Sequence, residues 1–271
     1  MNRIDSQILF FRKAIKIEYI IFHITFVPMQ SSQKYIEKIK KKVARTIVKQ
    51  NLIQENDRIL VGVSGGKDSM VLLDILAKIQ KYSPVKFEII PLHIELQGLY
   101  EIDKEYLNKF CEQHKIEMVY KTIEIDFPAW NKTPCFVCSS TRRKALFSSV
   151  SEHRCNKLAL GHHMDDAIET VLMNMVYHGS ISSLPFSLSM FAGEMQLIRP
   201  LLEMNKAQIE QYAEIMEFPT EKKLCQHSKE TSRSEFSQII SEFEKLNKNA
   251  RKNIFRSTSK LFPEYFPNII K

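Results

Sequence analysis

Residues 59–69 read Ile59-Leu60-Val61-Gly62-Val63-Ser64-Gly65-Gly66-Lys67-Asp68-Ser69, an apolar β-type run that leads directly into a glycine-rich turn. A run of helical character begins at Ser69. The chain has only 7 glycines, and three of them fall between Gly62 and Gly66, so this is not a generic flexible linker. A glycine turn between a strand and a helix directs backbone N–H groups at a phosphate. The pattern therefore predicts a phosphate-binding turn.

The turn does not fit the Walker A spacing, which requires four residues between its first glycine and a Gly-Lys-Ser/Thr end. Counted from Gly62, the second glycine would fall on Lys67, and Asp68 stands where a magnesium-binding hydroxyl is needed. Serines flank the turn and a carboxylate lies inside it, which favours binding of pyrophosphate and its metal. At these residues the chain resembles the PP-loop ATPase superfamily. That resemblance implies cleavage of ATP to AMP and pyrophosphate, with adenylation of an oxygen that a nitrogen or sulfur nucleophile then replaces.

Strand-type and helix-type segments alternate along the chain. The expected strands are Arg58–Val63, Phe87–Ile94, Glu117–Ile125 and Lys157–Leu160. The expected helices are Ser32–Asn51, Ser69–Ile79, Ile102–His114, Ser140–Arg154, Asp166–Tyr177 and Lys206–Met216. This alternation predicts an α/β fold with a parallel, Rossmann-like sheet covered on both faces. Ligands of such sheets lie at the carboxyl ends of the strands, where Ser64–Ser69, His93 and Gly161–Asp166 should meet.

Charge and cysteine content narrow the class of protein. Lysine and arginine total 39 against 31 acidic residues, a formal net charge of +8, which favours a polyanionic partner such as RNA. The odd number of cysteines argues against a secreted disulfide framework and favours a reducing cytoplasm. These cysteines are Cys111, Cys135, Cys138, Cys155 and Cys225.

The N-terminus carries an apolar run, Tyr19–Pro28, that is too short to span a bilayer and lacks a small-residue cleavage site. We expect residues 1–28 to be an extension before a start at Met29. A basic amphipathic helix is expected within residues 29–57, the PP-loop domain over 58–216, and a basic tail with the last cysteine over 217–271.

A second motif, Gly161-His162-His163-Met164-Asp165-Asp166, follows the apolar strand Leu158-Ala159-Leu160. Two acids at a strand end could hold Mg²⁺ with the phosphates of a nucleotide. The alternative is an Asp helix cap with a histidine pair satisfied by neighbouring carbonyls. The run from Gly161 to Asn174 resembles a segment shared by tRNA-modifying PP-loop enzymes.

A third motif, Pro134-Cys135-Phe136-Val137-Cys138, is expected in a loop before the helix Ser140–Arg154, and Arg142, Arg143 and Lys144 follow it. Zinc sites, redox dithiols and iron–sulfur sites all use two cysteines at this spacing. Cys225 adds a third thiol, which an iron–sulfur cluster could use and a redox dithiol does not need. Zinc stays open as well, because His227 could complete a four-ligand set.

In their order and spacing, these motifs resemble the TtcA family of tRNA 2-thiocytidine synthetases over about Gln33–Phe255. The chain departs from that family at two positions. It has Lys222 where members commonly carry a second late cysteine, and Met164 where they carry an arginine. The implied three-cysteine site therefore depends on Cys225.

The resemblance implies a role for each matching residue. Ser64, Gly65, Gly66 and Ser69 would bind the β and γ phosphates of ATP, Lys67 would neutralise charge, and Asp68 would help to hold Mg²⁺. His93 and Gly161 would border the adenosine, while Asp165 and Asp166 would face the reaction centre. Cys135, Cys138 and Cys225 would hold a [4Fe–4S] cluster that delivers sulfur to C2 of an adenylated cytidine in the anticodon loop.

The implied partners are tRNA and a sulfur donor, either a cysteine desulfurase or a sulfide source, with no membrane and with a homodimer as the assembly. Charge alone assigns RNA contacts to Lys38–Arg45, Arg142–Lys144 and the tail around Lys248, Arg251 and Lys252. Two other classes remain as alternatives. One is a lysidine-type tRNA ligase or another amidating PP-loop enzyme, and the other is a zinc-stabilised RNA-binding module.

Overall fold

The computed structural model describes residues 31–96, 100–125, 134–219, 222–223 and 232–265. The chain divides into two compact units, Met1–Lys42 and Val43–Lys271. The first helix, α1, covers residues 31–49, so the described part of the first unit is helical. The expected basic helix at this position is confirmed. The expected extension over residues 1–28 lies outside the described residues.

A six-stranded sheet organises the second unit. Its strands are β1 (Asp57–Gly62), β2 (Phe87–Leu96), β4 (Val119–Ile123), β5 (Lys157–Ala159), β6 (Ser187–Met190) and β7 (Met195–Ile198). They lie in the order β4-β2-β1-β5-β7-β6, and every pair is parallel except the edge pair β6–β7. The predicted parallel α/β sheet is thus confirmed, whereas the β6–β7 hairpin is an addition that the sequence analysis missed. A separate two-stranded ribbon pairs β3 (Tyr100–Glu101) with β8 (Lys222–Lys223).

Helices cover the sheet and extend beyond it. They are α2 (Lys67–Tyr82), α3 (Lys104–Gln113), α4 (Pro134–Glu152), α5 (Met164–His178), α6 (Lys206–Ile215), α7 (Ser232–Leu246) and α8 (Ala250–Ser257). One difference from expectation is the start of α4, which begins six residues before Ser140, at a proline suited to the first turn of a helix. The cysteine pair therefore lies in a helical turn and not in the loop that we expected.

The core forms where strand side chains meet helix side chains. Leu60, Leu92 and Leu158 are completely buried at the centre of the sheet, and Ala145 and Val150 of α4 belong to the same apolar cluster. A smaller cluster joins Met164 and Ile168 of α5 to Ile240 of α7, with Ile254 and Phe255 of α8 packed against it. The basic tail therefore contains two helices that pack on α5. No helix of the described residues is long and apolar enough to cross a membrane.

Candidate functional site

The glycine-rich turn lies at the carboxyl end of β1 and leads into the N-terminus of α2. Gly65 has a φ of +88°, a conformation that residues with a side chain rarely adopt. A Cβ atom there would also lie 2.8 Å from the Cγ2 atom of Ile102. Both observations explain why the sequence has glycine at this position.

Hydrogen bonds between its two serines close the turn. The Ser64 backbone N–H donates to Ser69 Oγ at 3.1 Å, and Ser69 Oγ donates to the Gly66 carbonyl at 2.8 Å. The Gly66 N–H donates to Ser64 Oγ at 3.2 Å. Lys67 forms a half-exposed ion pair with Glu210 of α6, and that hydrogen bond lowers the pKa of Glu210. The turn therefore presents a helix N-terminus with a lysine held beside it, an arrangement suited to phosphate.

The second motif packs directly against this turn. A Cβ atom on Gly161 would lie 2.8 Å from the Asp68 carbonyl oxygen and 3.1 Å from the Ser69 nitrogen, so only glycine allows this approach. His93 is buried, and its Nδ1 donates to the Val63 carbonyl at 2.8 Å. Burial is the main reason that the pKa of His93 is lowered. The three strand ends thus meet in space.

A cavity of about 370 Å³ opens at this junction. Its lining residues are Gly62, Val63, Ser64, Asp68, Ser69, Leu92, Ile94, Arg142, Leu146, Leu160, Gly161, His162 and Asp166. The apolar side chains come from the strand ends and α4, while the polar groups come from the turn and the second motif. One side of the cavity suits an adenosine, and the other suits phosphates and a cation.

The acids of the two motifs occupy different positions. Asp68 and Asp166 line the cavity, and Asp68 Oδ1 is buried without a hydrogen-bond partner among the described residues. Burial raises the pKa of Asp68, His163 opposes that effect, and Asp166 adds to it. A buried carboxylate oxygen that accepts no hydrogen bond and has only His163 Nε2 at 3.9 Å as an ionic contact within the described part of the chain, beside a second carboxylate, fits an oxygen-binding cation such as Mg²⁺.

Asp165 is 3% exposed and is not part of the cavity lining. Its Oδ2 accepts from the Lys206 backbone N–H at 2.8 Å, and its Oδ1 forms an ion pair with Arg251 of α8. Arg251 also contacts Glu244 at 2.8 Å. Arg251, which we expected to contact RNA because of its charge, therefore forms ion pairs within the protein instead. Lys248 and Lys252 are exposed.

The cysteine pair occupies the first turn of α4. Cys135 is exposed and Cys138 is buried, and neither forms a disulfide with another described cysteine. Arg142 lies four residues after Cys138 on the same helix, about 6 Å further along its axis, and lines the cavity. Among the residues that the structure describes, no three His, Cys, Asp or Glu side chains are grouped to hold a metal ion, and Cys225 and His227 lie outside that part of the chain.

Several contacts of the site escaped the sequence analysis. His162 belongs to a recognised motif, but its partner Arg199 follows β7, a strand that the sequence pattern did not predict. Glu210 and Arg251 lie 143 and 86 residues from the side chains that they contact. No local pattern identifies such partners.

The fold and the cavity define a class of nucleotide-binding protein, and comparison with known families agrees. Residues 33–221 match the PP-loop domain family. The tRNA-cytidine(32) 2-sulfurtransferase of Hahella chejuensis is 34% identical over 84% of this chain and 81% of its own length. The enzyme of the same name from Idiomarina loihiensis is 34% identical over 88% and 82%. The chain therefore belongs to the tRNA-cytidine(32) 2-sulfurtransferase family of PP-loop proteins.

A solved structure supports the same relationship. The U34-tRNA thiolase NcsA from Methanococcus maripaludis, determined with its [4Fe-4S] cluster, superposes with a TM-score of 0.70 at 28% sequence identity. The match covers 89% of this chain and 82% of the thiolase.

Proposed function

We propose that this chain uses ATP to adenylate O2 of a tRNA cytidine and then replaces that oxygen with sulfur, giving 2-thiocytidine. The main observation behind the proposal is that α4 contains both the cysteine pair and a residue of the cavity lining. The first turn of this helix holds Cys135 and Cys138, and Arg142 on its next turn lines the cavity formed by the glycine-rich turn. One helix thus places a cysteine pair beside a site suited to ATP.

The activation step uses the cavity. Backbone groups of Ser64–Ser69 hold the β and γ phosphates, and Lys67 exchanges Glu210 for phosphate when ATP binds. Asp68 and Asp166 would hold Mg²⁺, which would neutralise charge on the phosphates when bound. Cytidine O2 attacks the α phosphorus, and the bond to pyrophosphate breaks. The apolar strand ends Leu92, Ile94 and Leu160 border the adenosine.

The sulfur step uses the thiols. Cys135 is exposed and Cys138 is buried three residues further along α4, a spacing that puts both residues on one side of the helix. We assign Cys225 as the third ligand, and three thiolates are sufficient to hold a [4Fe–4S] cluster. When bound, such a cluster supplies a position from which sulfur reaches C2 of the activated base. AMP then leaves with the original O2.

The tRNA binds through exposed basic side chains, for which Arg143, Lys144, Lys248 and Lys252 are the candidates. If phosphate contacts dominate, the affinity for tRNA falls steeply between 50 and about 200 mM salt, and a flat salt profile would contradict this assignment. The sulfur donor is a cysteine desulfurase or a sulfide source, and the reaction takes place in the cytoplasm without a membrane. We propose a homodimer as the assembly.

The test begins with anaerobic purification of the full chain, followed by iron and sulfide assays and by mass spectrometry of nucleosides from tRNA incubated with ATP. Replacing Cys135, Cys138 or Cys225 with alanine should abolish the iron signal and 2-thiocytidine but preserve ATP binding. Cys111→Ala is the matched control, because Cys111 is a buried thiol distant in sequence from the pair.

Each outcome has a distinct meaning. An intact cluster without 2-thiocytidine would refute the cytidine reaction and leave the PP-loop class unaffected. Zinc without iron, together with no pyrophosphate release in the presence of tRNA, would favour the zinc-stabilised RNA-binding module. Full activity of the Cys225→Ala variant would remove this residue from the ligand set.

A further inference from the structure

A buried arginine, Arg199, contacts His162, which lines the cavity. Arg199 directly follows β7, and His162 lies three residues after the end of β5. These parallel strands are neighbours, and the Leu160 N–H donates to the Ile198 carbonyl at 3.1 Å just before the chain reaches each side chain. The pairing of the strands thus brings the two residues together.

Arg199 is held firmly in this position. It is 5% exposed, its Nη1 donates to the Pro185 carbonyl at 2.7 Å, and its backbone N–H donates to the Phe186 carbonyl at 2.9 Å. Its Nε donates to His162 Nδ1 at 3.3 Å. Burial, with a smaller contribution from Arg143, lowers the pKa of Arg199 to about 10, so the guanidinium is protonated at neutral pH.

This contact determines where the imidazole of His162 carries its proton. A guanidinium N–H can only donate, so His162 Nδ1 must accept with its lone pair, and the neutral ring carries its hydrogen on Nε2. A second proton on Nδ1 would point at the cationic guanidinium.

We propose that Arg199 is a positioning residue that fixes His162 as a neutral imidazole protonated on Nε2, and that this N–H donates to a phosphate oxygen of the nucleotide bound in the cavity. The inference rests on the proposed function only in taking that nucleotide to be ATP. The donor adds a hydrogen bond to the anion without placing a second cation next to Arg142, which lines the same cavity.

Nitrogen-15 NMR of the full-length, histidine-labelled protein tests the tautomer directly. A His162→Gln variant identifies the signals of His162 by their loss. We expect the Nε2-protonated pattern in the wild type at about pH 8, and a mixture of the two neutral tautomers in Arg199→Met. The conservative Arg199→Lys variant should restore part of the wild-type pattern.

An Nδ1-protonated ring in the wild type, or the same tautomer ratio in the wild type and Arg199→Met, would overturn the proposal. Should Arg199→Met fail to fold, the wild-type spectrum alone still decides between the tautomers.

ATP binding tests the donor role without any need for thiolation. A hydrogen bond to a charged oxygen corresponds to roughly tenfold or more in affinity, so His162→Ala should weaken the binding of Mg-ATP by about that factor. His162→Gln should retain more affinity, because its amide can donate from a similar position. Unchanged ATP affinity in His162→Ala would refute the donor role. If the ATP affinities of the variants follow the expected order but no 2-thiocytidine forms, only the proposed function is refuted.

Discussion

The contact between the second motif and the glycine-rich turn leads to a quantitative prediction for Gly161→Ala. The new Cβ atom would lie 2.8 Å from the Asp68 carbonyl oxygen and 2.9 Å from the Asp68 carbonyl carbon. Both neighbours are backbone atoms, so no side chain can rotate to relieve the overlap. Reaching an ordinary contact of about 3.4 Å requires the turn and the β5 end to separate by about 0.6 Å.

This displacement should affect both activity and stability. Misplacement by about 1 Å can cost on the order of 100-fold in rate, so a shift of about 0.6 Å should lower kcat/KM for pyrophosphate release by about tenfold. Overpacking of this kind costs about 2 kcal/mol, which corresponds to a fall in Tm of roughly 4–8 °C for a unit of this size. We would measure pyrophosphate release with tRNA, Mg-ATP affinity by calorimetry, and Tm by circular dichroism.

Gly179→Ala is the matched control, because the same substitution there meets no atom within 4 Å and only opposes a φ of +60°. It should cost about 1 kcal/mol of stability and leave ATP affinity unchanged. The reasoning would be refuted if Gly161→Ala folded and kept wild-type ATP affinity and pyrophosphate release. Equal losses of ATP affinity in the two variants would also refute it, because the effect would then follow stability and not the position of the turn.

Three further predictions concern stability, pH dependence and thiol reactivity. Lys157→Met should lower the free energy of unfolding by about 3 kcal/mol in urea titrations, because it leaves Asp57, the other half of a buried 2.7 Å ion pair, without its cation. Burial lowers the pKa of His93, so His93 is protonated at a higher pH in the unfolded chain than in the folded protein. The free energy of unfolding should therefore decrease as the pH falls below about 6.5. His93→Asn should show a shallower decrease between about pH 7.5 and 5.5. Burial raises the pKa of Cys155 to about 11, so iodoacetamide should modify exposed Cys135 in the metal-free protein roughly 100-fold faster, as measured by peptide mass spectrometry.

Each of these predictions has a control. Lys245→Met removes an exposed ion pair and should change stability by less than about 1 kcal/mol, so an equal loss in the two lysine variants would contradict the role of burial. A pH dependence that is identical in His93→Asn and the wild type would assign the effect to other groups. In denaturant both cysteines should react at similar rates, and equal rates in the folded protein would contradict the burial of Cys155.

The sheet was predictable because its signals are local. The apolar run before the glycine-rich turn and the short strand before Gly161 are both confirmed as neighbouring parallel strands. The hairpin of β6 and β7 was missed, because strands of four residues at the edge of a sheet lack a long apolar run. The early start of α4 was missed because the sequence around Cys135 does not show helical periodicity.

The side-chain partners of the site were not predictable from local pattern. Arg199 reaches His162 across a separation of 37 residues, and the contact exists only because β5 and β7 are adjacent in the sheet. The order of strands in a sheet depends on the topology of the whole fold. The hydrophobic pattern of a single segment does not predict it. Arg251 was read as an RNA contact for the same reason, since an ion pair with Asp165 needs the packing of α8 on α5.

Asp165 and Asp166 have different surroundings because of the geometry of α5, the helix on which both lie. Successive residues of an α-helix point about 100° apart, so two adjacent carboxylates at the start of α5 cannot face one cavity equally. Asp166 lies on the side of the cavity, while Asp165 faces α6 and α8, where the Lys206 N–H and Arg251 satisfy it. The motif therefore connects the nucleotide cavity to the C-terminal helices through neighbouring residues. Because Arg251 of α8 pairs with the residue next to Asp166, the packing of the tail on α5 is part of the environment of the site.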